Sequence, residues 1–363
     1  MASVGQNPPR AKAGRPSRNT KAAAGRVLWP IHFKPQPDEL LSSWMIRLAH
    51  AHALKIHTFG RLLHGSDLQI WNRDIDRQAP EWLIDGLCWN TATSRERGYE
   101  TTLRAYEGIL FPAYRDSYVL KWILPLQMYH QTRKGYGLQF CPRCLVEDRE
   151  PYFRKRWRVA LYTYCSIHEC LLHDRCPHCA APVIFHRREF GQLTFIDDIQ
   201  ITECCNCRFD LKDAIGEVPS FYDESAYQAF DLAVRRLEQR GLSCKPRSFG
   251  YYNVLHQLCR LFTARYRKVS LLEFVLHQVG APAIPLTPDV RNFEMRSVRE
   301  RHYMLQFAFW YLADLRPRLT SAWRHGAVTY SALLRDFADR PAWYGKAITN
   351  LWNPHVGPGK TPR

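Results

Sequence analysis

Apolar residues recur every three or four positions along most of this chain, and that spacing is typical of helices that bury one face. The first such stretch starts at Asp38, which can cap a helix, and it runs to about Ala53. Its apolar positions are Leu40, Leu41, Trp44 and Leu48. The pattern predicts an amphipathic helix.

A second apolar stripe follows after a short break at residues 54–57. Thr58 is a candidate cap at its start, and Gly65 can end it. Two helices joined this tightly predict either a helix-turn-helix or an ordinary αα-hairpin, and the turn residues leave both open. In the DNA-reading form the second helix presents polar side chains to a groove. The candidate DNA-binding residues are then Lys55, His57, Arg61 and His64.

The rest of the apolar pattern is also mainly helical. Residues 81–130 are rich in tryptophan, and Trp82, Trp89 and Trp122 are candidate core anchors. Further helices are predicted at residues 225–239, 251–267 and 298–315, and a pair of short helices near residues 330–334 and 341–343. Gly and Pro clusters separate the longer helices.

The charge balance adds a class of partner to this picture. The chain has 51 Lys+Arg against 34 Asp+Glu, a net charge of +17, and such an excess attracts polyanions. Nucleic acid is the first partner that this suggests, and an anionic membrane surface is the second. Residues 1–28 carry six cations and no acid among Pro, Gly, Ala and Ser, so we predict a disordered basic arm there.

Hydropathy argues against a membrane protein. The most apolar stretch, residues 305–315, already contains Gln306 and Asp314, whereas crossing a bilayer takes about 20 apolar residues. The N-terminus has no apolar core of the kind that a secretory signal needs. We therefore expect a cytoplasmic protein whose twelve cysteines are thiols or metal ligands rather than disulfides.

Four pairs of metal-ligand residues, each with two residues between its members, lie in the middle of the chain. A tight turn of this spacing presents two donors to one ion, and two turns complete the tetrahedron that zinc prefers. Sequential pairing predicts a Cys₃His site and a Cys₄ site. The ligands are Cys141, Cys144, Cys165 and His168 for the first, and Cys176, Cys179, Cys204 and Cys207 for the second.

Protein atoms fill all four positions of each predicted site, so we expect two structural zinc ions rather than catalytic ones. Some alternatives stay open in the sequence. Cys205 can replace Cys204, and Cys170 or His173 can compete with His168. An interleaved pairing of the four turns is a further alternative.

Between the first two pairs the chain combines cations with aromatic residues. This segment, residues 152–158, contains the candidate DNA-binding residues Arg154, Lys155, Arg156 and Arg158. The alternative is a strand or helix in which Trp157 is buried and the cations are solvated. The sequence does not decide between these two interpretations.

Signatures of common enzyme classes are missing from the sequence. Residues 357–361 partly imitate a phosphate-binding loop, but Pro354 stands where the first glycine of that motif belongs. We find no nucleophile elbow, no zinc-protease motif and no obvious carboxylate cluster. We therefore expect no catalytic residues and no nucleotide hydrolysis by this chain.

Several segments together resemble one known family. They are residues 37–44 (PDELLSSW), 47–49 (RLA), 139–144 (QFCPRC), 157–158 (WR), 165–172 (CSIHECLL), 174–179 (DRCPHC) and 207–211 (CRFDL). In this combination the chain resembles the TniQ/TnsD family, the target-selection proteins of bacterial transposons. The resemblance covers roughly residues 30–215, and the C-terminal helices match only loosely. Arg208 departs from the glycine that often follows the last ligand.

The resemblance implies a mainly α fold with small zinc-ribbon β elements. Its expected units are a disordered arm (1–28), an N-terminal helical domain with a helix-turn-helix (29–135), tandem zinc-binding modules (136–215) and a helical C-terminal domain (216–363). A chain of this length is also expected to hold two or three units with separate cores.

The resemblance also implies a non-catalytic adaptor. Such proteins bind target DNA or dock on an RNA-guided CRISPR effector complex, and they recruit a TnsC/TniB-like AAA+ ATPase; some form homodimers. The alternatives are a zinc-stabilised transcriptional regulator, and a nuclease or recombinase. Neither the target nor the mode of targeting is visible in the residues.

Overall fold

The fold is described from a computed structural model of the chain. It covers residues 28–65, 70–115, 119–129, 132–133, 135–187, 199–238, 247–264 and 270–351. The basic arm predicted for residues 1–28 lies outside these residues except for Leu28, and so does the glycine-rich segment at 357–361.

The N-terminal part is built from short helices, and the C-terminal part from longer ones. The helices before the cysteine-rich middle are α1 (Leu41–Ala51), α2 (Ile56–His64), α3 (Ile75–Gln78), α4 (Glu81–Thr91) and α5 (Arg95–Glu100). The helices after it are α7 (Glu224–Glu238), α8 (Arg247–Phe262), α9 (Leu271–Val279), α10 (Val298–Ala313), α11 (Leu315–Arg324), α12 (Tyr330–Leu334) and α13 (Ala342–Ile348).

The middle contains one short helix and little sheet. Helix α6 (Pro142–Glu147) opens the cysteine-rich segment. Two antiparallel pairs of two-residue strands are present in the described residues: β1 (Met128–Tyr129) with β2 (Thr132–Arg133), and β3 (Tyr164–Cys165) with β4 (Cys170–Leu171). The predicted class, mainly α with small β elements in the zinc-binding middle, is confirmed.

The two predicted N-terminal helices form, but their predicted caps are wrong. Asp38 is in a turn with φ 57°, and α1 begins only after Leu40, which has extended backbone angles. Thr58 lies inside α2, because the chain is still extended at Lys55 and turns helical at Ile56. Gly65 ends α2 with φ 79°, as predicted. The two helices pack against each other.

Two of the three candidate tryptophan anchors are on the surface. Trp122 is fully buried, but Trp82 and Trp89 are 39% and 52% exposed. Helix α4 buries the face that carries Leu83, Leu87 and their neighbours, and both tryptophans fall on the other side. The number of apolar residues in α4 does not say which face of the helix packs against the core.

The expectation of separate cores is wrong for the described residues. Apart from a small cluster under α4, their buried apolar side chains form one contiguous core that extends from Leu40 to Leu351. Helix α10 is its centre, since it packs against α7, α8, α9 and α11. The fully buried Arg301 of α10 donates hydrogen bonds to the Ala160 carbonyl and to Gln139 Oε1, at 3.1 Å each. The C-terminal helices are thereby joined to the cysteine-rich middle.

No helix among the described residues combines the length and the apolar character needed to cross a bilayer.

Candidate metal centres

The first ligand pair is placed by the start of α6. Cys141 is the cap residue of this helix, and Pro142 fills the first helical position, where its missing N–H costs no hydrogen bond. The backbone N–H of Cys144 points at Cys141 Sγ, 3.5 Å away. Both sulfurs therefore lie at the same end of α6, and both are buried.

The second pair is placed by the β3–β4 hairpin. Cys165 ends β3 and faces Cys170 across the ladder, and His168 lies in the turn between the strands. The turn closes at Glu169, whose φ is 49°. The hairpin brings the Cys165 sulfur and the His168 ring to the sulfurs of α6.

These four residues present their donor atoms to one point. His168 Nδ1 is 3.4 Å from Cys141 Sγ, 3.3 Å from Cys144 Sγ and 3.5 Å from Cys165 Sγ. The sulfurs of Cys144 and Cys165 are 3.7 Å apart, and all four donors lie within 4.8 Å of one another. With Zn–S bonds of about 2.3 Å, the corners of a tetrahedron would be about 3.8 Å apart, so the quartet fits a zinc ion.

A carboxylate supports the histidine from outside the quartet. Glu147 Oε2, at the end of α6, is 2.7 Å from His168 Nε2, the ring nitrogen that faces away from the sulfurs. The pair is close but does not have hydrogen-bond geometry, and a small rotation of the exposed Glu147 side chain would let it accept from the ring N–H and keep the imidazole oriented. Glu147 was not among the residues predicted from the sequence, although its place three residues after Cys144 on a short helix was a usable signal.

The structure also separates the alternative ligands of this site. His173 is turned away, with its ring stacked on Phe140 and its Nε2 3.0 Å from the Ile215 carbonyl. Cys170 Sγ lies 3.6 Å from Cys141 Sγ but does not belong to the compact quartet. The sequential pairing, and not an interleaved one, is the arrangement of the described residues.

The second quartet is formed by two loops. The sulfurs of Cys176 and Cys207 are 3.6 Å apart, those of Cys179 and Cys204 are 3.7 Å apart, and all four lie within 4.8 Å of one another. Cys205 is outside the quartet.

Three of the four ligand turns end in the same backbone conformation. The residues that follow their second ligands, Glu169, Ala180 and Arg208, have φ values of 49°, 57° and 64°. A left-handed residue reverses the chain and aims both donors at one side. Arg208 therefore occupies a position where glycine would be free of strain, and its side chain is exposed. The departure at this position affects the turn and leaves the ligands in place.

The thiols of the first quartet compete for protons. Sulfur contacts with Cys144, Cys165 and Cys170 raise the pKa of Cys141, whereas contact with Cys141 lowers the pKa of Cys165. A divalent cation would replace these protons, because it binds the thiolate form.

Proton competition is also visible in the second quartet. Burial raises the pKa of Cys176 to about 12. Burial acts in the same direction on Cys179, but hydrogen bonds from Asn206 and from the backbone of Ala181 outweigh it and lower the pKa of Cys179 to about 6. The donor chemistry of both quartets suits zinc.

The four cations of residues 154–158 are not on an open surface, which corrects their predicted placement. Arg158 is 1% exposed and pairs with Asp74 at 2.6 Å and Asp76 at 3.4 Å. Arg154 is buried against Asp148, with two hydrogen bonds of 2.7 and 3.1 Å. Asp74 and Asp76 are distant from Arg158 in the sequence, whereas Asp148 is close to Arg154. The sequence alone does not show that these residues pair.

The other two cations of this segment are half-buried. Arg156 contacts Glu238 at 2.8 Å and Asp38 at 3.2 Å, and Lys155 donates to the Glu100 carbonyl at 2.5 Å. Trp157 is buried, as the alternative interpretation required, but the cations beside it are paired rather than solvated. This segment joins the N-terminal helices to the cysteine-rich middle.

The candidate residues near α2 have a different placement. His57 and Arg61 are exposed, Lys55 is half-buried at the start of the helix, and the side chain of His64 lies outside the described part. Thr58 and Leu62 share the exposed face, and Leu62 is 71% exposed. This face of α2 remains a prediction as a DNA contact.

A mostly helical chain with one compact Cys₃His quartet and one compact Cys₄ quartet belongs to the class of proteins whose middle is suited to structural metal ions. Comparison with known families gives a more specific result. Residues 30–172 match the TniQ family model, so this part of the chain is similar to the TniQ family. The match includes the whole first quartet and ends before Cys176. A search of curated proteins gives no significant match.

Proposed function

We propose that this protein is a non-catalytic target-selection adaptor of a DNA transposon with several components. It binds target DNA, an RNA-guided CRISPR effector complex, or both, and it recruits an AAA+ ATPase that brings the transposase. The observation that carries this proposal is the TniQ match over residues 30–172, which includes a complete four-donor quartet.

Each quartet is proposed to hold one structural zinc ion. Four protein donors complete a tetrahedron, so a zinc ion bound there has no open position for a reactive water. The ion in the first quartet would fix α6 relative to the β3–β4 hairpin. The ion in the second would fix the loops at Cys176 and Cys204 relative to each other. Elemental analysis of the reduced, purified protein should give two zinc ions per chain, and a folded protein free of transition metal would contradict the assignment.

The exposed face of α2 is proposed as a DNA contact. It carries His57, Thr58 and Arg61, which can donate hydrogen bonds to base edges or phosphates. The variant His57→Ala/Arg61→Ala should weaken DNA binding. His277→Ala/Arg291→Ala is a matched control, since it removes the same residue types from exposed positions elsewhere. Equal effects of the two variants would argue against α2.

The adaptor role is tested by two measurements on the zinc-loaded full chain. It should co-purify with the AAA+ ATPase of its own transposon, and it should not cut DNA in the presence of Mg²⁺. Cleavage abolished by a point substitution in this chain would indicate a nuclease instead. Binding to a short palindrome as a dimer, without association with the ATPase, would favour a transcriptional regulator.

A further inference from the structure

Helix α11 carries an exposed stripe that differs from the other cationic segments of this protein. Arg316, Thr320 and Arg324 follow one another at four-residue intervals, so they lie along one side of the helix. The opposite side is buried through Leu315, Leu319 and Ala322. Both arginines are exposed. We call these three residues the α11 stripe.

The α11 stripe has little negative charge near it. No Asp or Glu occurs between residues 315 and 335, and within the described part of the chain no carboxylate pairs with Arg316 or Arg324. The acids at the two ends of this segment are Asp314, exposed at the start of α11, and Asp336, which pairs with Arg260 at 3.0 Å. The positive charge of the stripe is therefore not neutralised locally.

The helix that carries the stripe is held firmly in place. Arg318, on another side of α11, lies over the Trp310 ring at 4.1 Å and also donates to the Trp310 carbonyl. Helix α11 packs against α10 and α13, and α13 carries the exposed Lys346 and the partly exposed Trp343. A fixed helix presents its cations without a large ordering cost on binding.

We propose that the α11 stripe contacts the phosphate backbone of duplex DNA, as a second contact besides α2. This inference rests on the proposed DNA-binding function. Arg316 and Arg324 are eight residues apart, a rise of about 12 Å along the helix. That separation is similar to the width of the major groove, about 12 Å, so the two guanidinium groups can reach phosphates on opposite walls.

The composition of the stripe favours a polyanion over a protein partner. Protein interfaces have an apolar or aromatic centre, whereas Pro317 and Thr320 lie between the two arginines on this side, and the neighbouring Trp323 packs against the core. Contacts to phosphates need cations and small polar groups and carry no sequence information. The stripe is therefore suited to positioning DNA and not to reading its sequence.

The test compares the salt dependence of DNA binding for variants of the zinc-loaded full chain. Arg316→Gln/Arg324→Gln should weaken binding of a duplex roughly tenfold near 0.2 M salt, and it should reduce the slope of log K against log[salt] by about 1.8. Arg149→Gln/Arg291→Gln removes the same charge from exposed positions elsewhere and should leave the slope unchanged. Arg316→Lys/Arg324→Lys should also retain the slope.

Other outcomes would overturn the inference. If the α11 variant and the Arg149/Arg291 control change binding equally, the effect is one of total charge. If poly-glutamate binds as tightly as DNA and with the same dependence on α11, the stripe is a site for acidic proteins. If wild-type protein binds DNA but the α11 variant is unaffected, only this inference fails. If the wild type binds no DNA, the proposed DNA contact of α2 fails as well.

Discussion

Two segments of this protein combine arginines with tryptophan, and they have opposite placements. Residues 154–158 lie in the interior, where carboxylates from α3, α7 and the loops around Asp38 and Asp148 meet the cations. Residues 315–324 form a helix whose Arg316 and Arg324 are exposed and pair with no carboxylate in the described part of the chain. Both segments carry several cations and one tryptophan, and the acids that surround each one decide what it can do.

The comparison shows why a run of cations in a sequence is ambiguous. Burying an arginine costs several kcal/mol unless carboxylates and carbonyls satisfy it. Arg158 receives both, since Asp74, Asp76 and the Leu124 carbonyl surround its guanidinium. Where no carboxylate of the described residues pairs with it, as for Arg316, the guanidinium stays in water and remains available to a polyanion.

The largest predicted effect comes from removing the metal. Residues 154–158 lie in the sequence between the two halves of the first quartet, since two of its ligands precede this segment and two follow it. A structural zinc site contributes on the order of 10 kcal/mol to folding, so chelation should release the buried segment. Amide hydrogen exchange should then accelerate first at residues 140–180 and later, if at all, at α11. Unchanged exchange at residues 154–158 after chelation would contradict this.

The second effect concerns Arg158 itself. Arg158→Ala leaves Asp74 and the fully buried Asp76 without their cation, and it should reduce the free energy of unfolding by about 3 to 5 kcal/mol. Adding Asp74→Asn and Asp76→Asn should recover part of this loss, since the uncompensated charges are then removed. Denaturant unfolding measures both changes. A loss below about 1 kcal/mol for the single variant would mean that the pair is effectively solvated.

His302 is a buried base that pairs with no carboxylate of the described residues, and it extends the comparison. His302 lies between Thr163 and the Ser220 carbonyl, and burial lowers its pKa to about 4. The unfolded chain takes up this proton near pH 6.5 and the folded chain does not, so stability is complete above pH 6.5 and falls as the pH drops towards 4. The folded state should lose about 3 kcal/mol over that interval.

The measurement for His302 is the free energy of unfolding at pH 7 and pH 4.5. In His302→Gln the drop between the two values should be smaller than in the wild type. Protonation of the thiolate ligands affects both proteins equally and cancels in the difference. The control is His277→Gln, since His277 is exposed and its replacement should leave the pH dependence unchanged. Identical pH profiles for His302→Gln and wild type would show that His302 is not kept neutral.

The smallest effect is expected at α11. Arg316→Ala and Arg324→Ala remove exposed side chains that pair with no described carboxylate, so each should change stability by less than about 0.5 kcal/mol. Thermal melting of the zinc-loaded protein measures this. A larger loss would place these arginines with the structural cations of residues 154–158 and remove the contrast between the two segments.

Local features of the chain were predictable to different degrees. The ligand pairs were identifiable because two-residue spacing forces both donors to one side of a turn, whatever surrounds it. The ends of α1 and α2 were misplaced because Asp38 and Thr58 suit a cap, but the chain stays extended at Leu40 and Lys55 instead. Trp82 and Trp89 were misplaced because the apolar pattern of α4 does not say which face meets the core.

The sequence by itself determined the mainly helical class, the four pairs of candidate metal ligands and the resemblance to the TniQ family, since these depend on residue types at short separations. Only the tertiary structure decided that the four pairs group sequentially, that the cations of residues 154–158 are internal, that Glu147 lies beside His168, and that the described core is continuous through α10. Each of these depends on which distant side chains meet. Charge pairing and burial depend on these long-range contacts, and no local segment of the sequence determines them.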